Sequence, residues 1–593
     1  MVSTKTKKRS FKTQAFLNLA ILAVALVVIN LLANQYYHRF DLTKEKKYTL
    51  SNTTNTLLKN LDTKLTFNVY LEGDLSTKFK QLKGNIRDML AEFNEISGGK
   101  VQYDFTNPLE GKSLDDQSNI IEQFEKQGLI PYYDQEENET QTQVTRLFPG
   151  AKVIDGKGNE YIINFLTTQL GKAEEEAINN SIENLEYELA NIVRKASSIG
   201  QNKKIGFLRG HGELDELSTF DIRNELKGFY KVSDVTFNLN LAETLLPIQD
   251  KVEKSADPEK EIFPALLQHL KSFKGLIMAK PTQPFSKAEV FLLDQYIMQG
   301  GKVLFLIDPV FAEYDTLALY ERMLSTNYDL GELPNMLYIY GIRLNNDILM
   351  DSRCNDIVFQ AKNGLFRNFA WTYYPIFTDN GNNPISKNME GIWGRFVSTL
   401  KPIVRDNVVH TPILLSSDKS RISNSPLMLD LGIVMQNNNP SFLKSFNKGQ
   451  QVCGVLSTGQ FQSVFKGRNT ESFTQVNFKE EVKNNSMIVV ADGDIVKNQV
   501  KADGNGYFPL GFDMATKRSF ANKKFIVNCV DYLCDDAGLI EIRNKEYELR
   551  LLDKNKVKAN KKKWQILNIA VPLGLVVVFG LINAFIRRQK FNN

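Results

Sequence analysis

The stretch from Gly275 to Asp308, GLIMAKPTQPFSKAEVFLLDQYIMQGGKVLFLID, contains two short apolar runs separated by a segment with helical spacing. GLIMAK and KVLFLID have the length and the uninterrupted apolar character of strands that are buried on both faces. Ser286 is suited to begin the intervening helix, and the pair Gly300 and Gly301 to end it. Two strands joined by a helix form a βαβ unit, so the stretch predicts a parallel sheet covered by helices on both faces.

The same alternation of strands and helices extends outward from this stretch. Upstream, KKIGFLRG begins at Lys203 and precedes the predicted helix STFDIRNELKGF and the strand VSDVTFNL. Downstream, TPILLSS, QQVCGVLSTG and MIVVADGDIV are predicted as late strands, and SFANKKFIVNCVDYL as a closing helix. We therefore expect one large α/β domain over residues 201–540, with an insertion near residues 313–407, where the pattern is irregular.

A smaller α/β domain is predicted over residues 64–200. KLTFNVYL alternates apolar and polar residues as a strand does, and the next segment has apolar residues at helical spacing. A second strand (VQYDF), a second helix, the hairpin AKVID–EYIINF and a long helix over residues 174–196 complete the order βαβαββα. This order predicts a thioredoxin-like domain, and the absence of a CxxC pair argues against redox chemistry. The acidic segment over residues 134–140 is predicted to be a solvated loop.

The two ends of the chain carry apolar runs without charged residues, over residues 15–33 and 564–586. Each is long enough for a helix that crosses a bilayer, which takes about 20 residues. The remaining segments are then two tails (residues 1–14 and 587–593), a juxtamembrane segment (34–63) and a basic stalk (541–563). A cleaved signal peptide is the alternative for the first run, but its length and the lack of a small-x-small site favour an uncleaved anchor.

The charges next to the first span predict its orientation. Five basic residues and no acid precede it, which favours a cytoplasmic N-terminus, a cytoplasmic C-terminus and an external body. A lysine-rich run before the second span argues against this orientation, but long domains are translocated largely regardless of charge.

Small residues in the second span predict contact with a partner helix. Ala570, Gly574, Gly580 and Ala584 fall on one side of this helix, as small-xxx-small pairs that let two helices approach closely. A generic span, in which Gly and Ala are frequent anyway, is the alternative.

Composition excludes several classes of function. The net charge is +5, but the two tails contain eight basic residues and no acid, so the part between them is acidic and unsuited to binding nucleic acid. Four cysteines without a CxxC spacing and four scattered histidines match no ordinary metal site. Phosphate loops and the G-x-S-x-G elbow are also missing from the sequence. We therefore expect no cofactor, no metal and no catalytic residues.

The most concentrated polar cluster follows the first strand of the larger domain. Arg209, His211 and Glu213 lie on a glycine-rich turn at the carboxyl end of this strand, where open α/β sheets place their ligands. They are suited to binding an anion or a partner, and less to catalysis because no nucleophile is nearby. A purely structural loop remains the alternative. Three aspartates that end neighbouring strands are expected at the same edge: Asp308, Asp492 and Asp494.

Four long blocks of the chain resemble the GldG family, the gliding-motility-associated ABC transporter component of Bacteroidota. These blocks are DLTKEKKYTLSNTTNTLLKNLDTKLTFNVYLEGDLSTKFKQL, KKIGFLRGHGELDE, KPTQPFSKAEVFLLDQYIMQGGKVLFLIDP and SFANKKFIVNCVDYLCDDAGLIEIRNKEYELRLLD. The resemblance implies a larger domain similar to glutamine amidotransferases. Their nucleophilic cysteine on an elbow is missing here, so that activity is not implied.

The resemblance further implies an auxiliary subunit in the bacterial inner membrane, with both termini cytoplasmic and the main body periplasmic. Its partners would be an ABC permease and a separate cytoplasmic ATPase, in a system linked to gliding motility and secretion, and its body would bind a substrate or an envelope protein. Two alternatives stay open: a structural envelope tether, and an envelope hydrolase that uses His211 and Glu213.

Overall fold

The computed structural model divides the chain into two compact units, residues 1–545 and 546–593, and each is taken by itself. The structure describes residues 11–35, 49–137, 142–166, 173–197, 202–360, 365–378, 383–437, 439–468, 476–501, 503–504, 506–536, 538–544 and 554–591.

The N-terminal part of the first unit contains a four-stranded mixed sheet. Its elements are α1 (Phe11–Gln35), α2 (Asn52–Lys59), β1 (Leu65–Val69), α3 (Thr77–Ile96), β2 (Val101–Phe105), α4 (Leu114–Gln127), β3 (Tyr132–Glu137), β4 (Thr142–Leu147), β5 (Gly150–Asp155), β6 (Glu160–Asn164) and α5 (Glu174–Ala196). The strand order is β2-β1-β5-β6, in which β1 is parallel to β2 and antiparallel to β5, and β5 is antiparallel to β6.

Apolar periodicity explains this part well, with one exception. Helix α3 buries the five residues that its spacing selects: Phe79, Leu82, Ile86, Leu90 and Phe93. The prediction of a solvated loop over residues 134–140 was wrong, because Tyr132–Glu137 is a strand that pairs with β4. Its acidic composition concealed the strand, since a two-stranded hairpin needs no continuous apolar face. Residues 138–140 of that segment lie outside the described residues.

The first half of the larger α/β region follows the predicted alternation. It consists of β7 (Lys204–Arg209), α6 (Phe220–Lys227), β8 (Lys231–Thr236), α7 (Gln249–Glu253), α8 (Pro258–Lys271), β9 (Gly275–Ala279), α9 (Lys287–Met298) and β10 (Lys302–Leu306). Ser286 caps α9 with a complete capping box. Its hydroxyl accepts the N–H of Glu289, and the Glu289 carboxylate accepts the N–H of Ser286.

The second half contains most of the short strands. It consists of β11 (Val310–Phe311), α10 (Tyr314–Tyr320), β12 (Arg322–Asn327), α11 (Leu333–Ile339), β13 (Ile342–Leu344), β14 (Asp347–Asp351), β15 (Cys354–Gln360), β16 (Phe366–Phe377), β17 (Ile392–Trp393), β18 (Leu400–Pro402), β19 (Val408–Leu415), β20 (Ser420–Asn424), β21 (Leu427–Asp430), α12 (Pro440–Lys444), β22 (Val452–Gln462), β23 (Glu481–Val490), β24 (Phe512–Asp513), β25 (Arg518–Ser519) and α13 (Asn522–Cys534).

The central sheet has seven strands in the order β19-β22-β23-β10-β9-β7-β8. Strands β8, β7, β9, β10 and β23 are parallel, and β22 runs antiparallel to both of its neighbours. The expectation of a wholly parallel sheet was therefore wrong at this edge. Both faces of the sheet are covered, because its strand residues divide between two large buried clusters.

The region between β10 and β22, which contains the predicted insertion, has its own apolar core. It leaves the central sheet after β10, contributes β19 to the sheet, and returns finally at β22. Its small sheets are β11-β12-β21, β13-β18, β14-β20 and β15-β16-β17. Seven buried side chains of its core are aromatic, among them Trp371, Tyr373, Tyr374 and Trp393. These rings contact one another edge-on or tilted, as aromatic clusters prefer.

Helix α5 connects the two α/β regions of the first unit. The Tyr187 hydroxyl donates to Asn528 Oδ1 at 2.9 Å, and Arg194 Nη2 lies 2.6 Å from Asp531 Oδ1. A 3₁₀ helix, Leu539–Asn544, belongs to the apolar cluster that also contains residues of α5. Arg543 in this helix is 1% exposed. The first residues of the predicted basic stalk (541–563) are therefore part of the folded body.

The second unit is the helix α14 (Lys554–Phe591), which also contains the end of the predicted stalk. Its segment Lys562–Ile586 is long and apolar enough to cross a membrane. Within the described part of the chain, the apolar segment Phe16–Val28 of α1 is shorter than a membrane-spanning helix. Ala570, Gly574, Gly580 and Ala584 all lie in α14, and their packing against a partner helix stays a prediction.

Candidate functional site

The loop after β7 does not present its histidine to solvent. The His211 side chain is 1% exposed and stacks on the ring of Phe285, with centroids 3.7 Å apart. Its Nε2 lies 3.3 Å from Glu289 Oε2, and its Nδ1 lies 3.9 Å from Glu213 Oε1. Arg209 points to a different neighbour, since its Nε donates to Asp234 Oδ1 at 2.9 Å. Arg209 is thus the last residue of β7, whereas His211 and Glu213 lie on the loop that follows and share a buried cluster.

Glu289 couples this cluster to the start of α9. Its carboxylate accepts the N–H of Ser286 at 2.7 Å and the N–H of Leu239 at 2.8 Å. Burial raises the pKa of Glu289, but His211 and these donors outweigh burial and lower the pKa to about 2. An ionised carboxylate at a helix N-terminus is also favoured by the helix dipole.

The crevice beside this loop is closed. The strand order changes direction between β7 and β9, which is where doubly wound sheets open a ligand crevice. Here the His211 carbonyl accepts the N–H groups of Thr282 and Gln283 at 2.8 and 2.9 Å. A Cβ on Gly212, whose φ is +73°, would lie 2.1 Å from Thr282 Oγ1. The loops after β7 and β9 therefore pack together, and a ligand-binding role for this loop stays a prediction.

The expected aspartates do gather at the strand ends, around a lysine. Lys280 directly follows β9, is 4% exposed and has a φ of +55°. Its Nζ lies 2.6 Å from Asp494 Oδ2 and 3.1 Å from Asp308 Oδ2. Asp492 stands beside them, because its Oδ1 accepts the N–H of Asp494 at 2.9 Å. Sequence reasoning missed Lys280, although its position at a strand end matched that of the aspartates.

Burial and the lysine divide the charge unequally among these carboxyls. Burial raises the pKa of Asp308 to about 6 and that of Asp492 well above its ordinary value. Burial also disfavours ionised Asp494, but Lys280 and Lys497 outweigh it and lower the pKa of Asp494. The negative charge that pairs with Lys280 is therefore centred on Asp494.

A cavity of about 500 Å³ opens beside Asp494, between the end of β23 and the insertion. Its wall includes Tyr314, Asp315, Tyr374, Trp393, Arg395 and Lys497. A polar cavity at the carboxyl end of a central strand is where α/β sheets bind small molecules. This cavity and the Lys280 cluster form the candidate site. The cavity lies at the end of β23, three strands from β7 in the sheet.

Arg395 is held in place on the cavity wall. Its backbone N–H donates to Asp492 Oδ2 at 3.0 Å, and its guanidinium lies 3.9 Å from the centre of the Trp393 ring. The Trp393 indole N–H is buried and has no hydrogen-bond partner among the described residues. The sequence carried no signal for this pair, because both residues belong to the irregular insertion.

Reactive thiols and metal clusters do not contribute to the site. Burial raises the pKa of Cys354 and of Cys534 to about 12, and that of Cys453 and Cys529 well above the ordinary value. Within the described part of the chain, no group of three or more His, Cys, Asp or Glu residues is arranged to hold a metal ion. What the site offers is a polar, partly aromatic cavity suited to binding.

The chain has a mixed α/β body with a polar cavity, and its apolar C-terminal helix is consistent with membrane association. Comparison with known families places it more closely. A family model described as "ABC-type uncharacterized transport system" matches residues 202–529, and a domain of unknown function (DUF7088) matches residues 44–154. The first match covers more than half of the chain, and the chain belongs to this family of auxiliary ABC transport components.

One relative aligns with nearly the full length of this chain. An uncharacterized protein of Borreliella burgdorferi is 23% identical over 568 residues, which is 93% of this chain and 94% of that protein. A solved structure, the mmIFT52 N-terminal domain, is 12% identical and covers 56% of this chain and 96% of its own, with a TM-score of 0.28. At that score the structural likeness carries no argument about the fold.

Proposed function

We propose that the chain is a non-catalytic, membrane-anchored auxiliary subunit of an ABC transporter whose permease and ATPase are separate chains. The observation that carries this proposal is the family match over residues 202–529, which spans the whole central sheet. The sequence contains no phosphate loop for ATP, so the energy has to come from another subunit. Two apolar runs are also too few to enclose a transport pathway.

The proposed placement is the inner membrane, with both termini in the cytoplasm and the body in the periplasm. The positive flank of residues 1–14 supports this orientation, and the apolar segment Lys562–Ile586 supports the C-terminal anchor. The link to gliding motility and secretion rests on the resemblance of four sequence blocks to the GldG family. A tether without a transport role differs in one respect: it would work while ATP hydrolysis in the partner is blocked.

Two domain assignments accompany the proposal. The four-stranded sheet, in which β5 is antiparallel to β1, supports a thioredoxin-like scaffold without redox chemistry. The parallel strands β8, β7, β9 and β10 support an amidotransferase-like domain. Neither assignment brings an activity with it. The hydrolase alternative is disfavoured, because the side chains of His211 and Glu213 are each 1% exposed.

Copurification tests the proposed function. The full-length chain, tagged and extracted in mild detergent, is expected to carry an ABC permease and an ATPase with it, identified by mass spectrometry. Gly574→Leu together with Gly580→Leu should release both, because added bulk blocks close helix packing. Leu575→Phe, on the opposite side of the same helix, adds bulk without this effect and serves as the matched control. A chain that purifies alone as a monomer would contradict the proposal.

A further inference from the structure

Three of the seven charged side chains on the cavity wall already have partners within the fold. Asp494 pairs with Lys280, and Asp356 Oδ2 lies 3.4 Å from Arg518 Nη1. Asp513 accepts hydrogen bonds from the Asn355 side chain at 2.8 Å and from the Thr516 hydroxyl at 2.5 Å. These three carboxylates belong to the fold and leave little charge for a ligand to neutralise.

Three other charged side chains of the wall have no direct ion-pair partner within the described part of the chain. Glu313, Asp315 and Arg395 form no ion pair with any residue that the structure describes. Lys497 adds a weakly engaged cation, since its Nζ is 3.9 Å from Asp494 Oδ1. The cavity therefore offers separate cationic and anionic groups.

Three aromatic rings of the wall lie next to the residues that carry these charges. The ring of Tyr374 lies 5.6 Å from Trp393, which carries Arg395 on its face, and 6.2 Å from Tyr314, which lies between Glu313 and Asp315 in sequence. The rings of Trp393 and Tyr314 are thus no more than about 12 Å apart. A ligand that extends from one ring to the other therefore needs no more than about three extended residues.

From this arrangement we propose that the cavity binds a short peptide, of two or three residues, with free amino and carboxyl termini. The peptide carboxylate pairs with the guanidinium of Arg395, a geometry in which arginine donates two parallel hydrogen bonds. The ammonium group lies against Glu313 and Asp315, and an apolar side chain contacts Tyr314 and Tyr374.

This inference deepens the proposed function, because it names a ligand class for the auxiliary subunit. It is tested by calorimetric titration of the purified full-length chain in detergent with trialanine, N-acetyl-trialanine and trialanine amide. Trialanine is expected to bind, and blocking either terminus should weaken binding at least tenfold. Undetectable binding of trialanine at millimolar concentration would overturn the proposal, and so would equal affinity for the three peptides.

Two variants test which residue binds each terminus of the peptide. Arg395→Gln should weaken trialanine binding at least tenfold and remove the preference for the free carboxylate. Asp315→Asn, at an exposed position, should remove only the preference for the free ammonium. Arg322→Gln, whose ion pair with Asp430 is exposed, is the control and should bind like the wild type. Wild-type binding by both Arg395→Gln and Asp315→Asn would refute the assignment.

The outcomes of the two proposals are separable. Copurification with the permease and ATPase does not depend on the cavity, so Arg395→Gln should leave it unchanged. A failed titration with intact copurification overturns the peptide site alone. A lone monomer that still binds trialanine overturns the transporter subunit and keeps the site.

Discussion

Lys280 combines strain and burial in one residue. Its left-handed φ of +55° costs free energy for a residue with a side chain, and its ammonium group is almost fully removed from water. Burial lowers the pKa of this lysine, but Asp308 and Asp494 outweigh burial and raise it, so the charge is retained. Such a residue persists where its neighbours determine its position, and here it joins the ends of three adjacent strands.

Replacing the lysine should therefore be costly. Lys280→Met leaves Asp308, Asp492 and Asp494 together without their cation, and we expect a loss of about 3–5 kcal/mol in the free energy of unfolding. Lys497→Met removes a half-exposed lysine from the same cluster and should cost less than about 1 kcal/mol. Urea unfolding at pH 7, followed by circular dichroism, measures both. Equal stability of the two variants would show that Lys280 is not required to balance the carboxylates.

Glu289 should make stability depend on pH in acid. Its folded pKa of about 2 lies below the ordinary value of 4.5, so its contribution is complete above pH 4.5 and is lost as the pH falls toward 2. The shift corresponds to about 3 kcal/mol. Relative to the wild type, Glu289→Gln should lose most stability near neutral pH, and the difference should shrink between pH 4.5 and 2. A difference that is constant across this window would contradict the depressed pKa.

For single residues, the sequence predicted where a side chain lies on the sheet better than it predicted which other side chains it contacts. Asp308, Asp492 and Asp494 were expected at one edge because carboxyl ends of parallel strands meet there. Their partner Lys280 and the pair of Arg395 with Trp393 depend on contacts between residues far apart in the chain. His211 was placed on the right loop, but its burial follows from Phe285 and Glu289, which belong to a different element.

Elements with strong periodicity were predicted closely. The bounds of α5 coincide with the predicted residues 174–196, and α3 buries the residues its spacing selects. Strand direction was harder, because the residues of β22 do not indicate its direction and only its connections make it antiparallel to its neighbours. The insertion resisted prediction because its strands are short and belong to several small sheets.

The contact between α5 and α13 should behave as a single stabilising unit. Arg194→Met leaves Asp531 buried with only the Tyr230 hydroxyl, which donates to it at 2.7 Å, and should destabilise the first unit by about 3 kcal/mol. Lys195→Met removes a surface pair with Glu225 and should cost less than about 1 kcal/mol. Hydrogen exchange followed by mass spectrometry should show faster exchange of α5 in the first variant alone. Unchanged exchange in Arg194→Met would refute this coupling.

At the scale of the whole molecule, the smaller α/β region is not an independent appendage. Helix α5 shares its apolar cluster with the 3₁₀ helix Leu539–Asn544, so the last part of the body packs against the first. Helix α2 contributes Leu57 and Leu58 to the same cluster. The side of the membrane on which the body lies decides which ligands reach its cavity.

Cysteine labelling determines this side directly. Burial raises the pKa of all four native thiols, so they should react slowly with a maleimide and give a low background. With a membrane-impermeant maleimide and a permeabilised outer membrane, Lys287→Cys on the exposed start of α9 should be labelled in whole cells. Arg588→Cys, beyond the apolar segment of α14, should be labelled only after lysis. The reverse pattern would place the body in the cytoplasm, because an impermeant reagent reaches only groups outside the inner membrane, and the cavity would then sample cytoplasmic ligands.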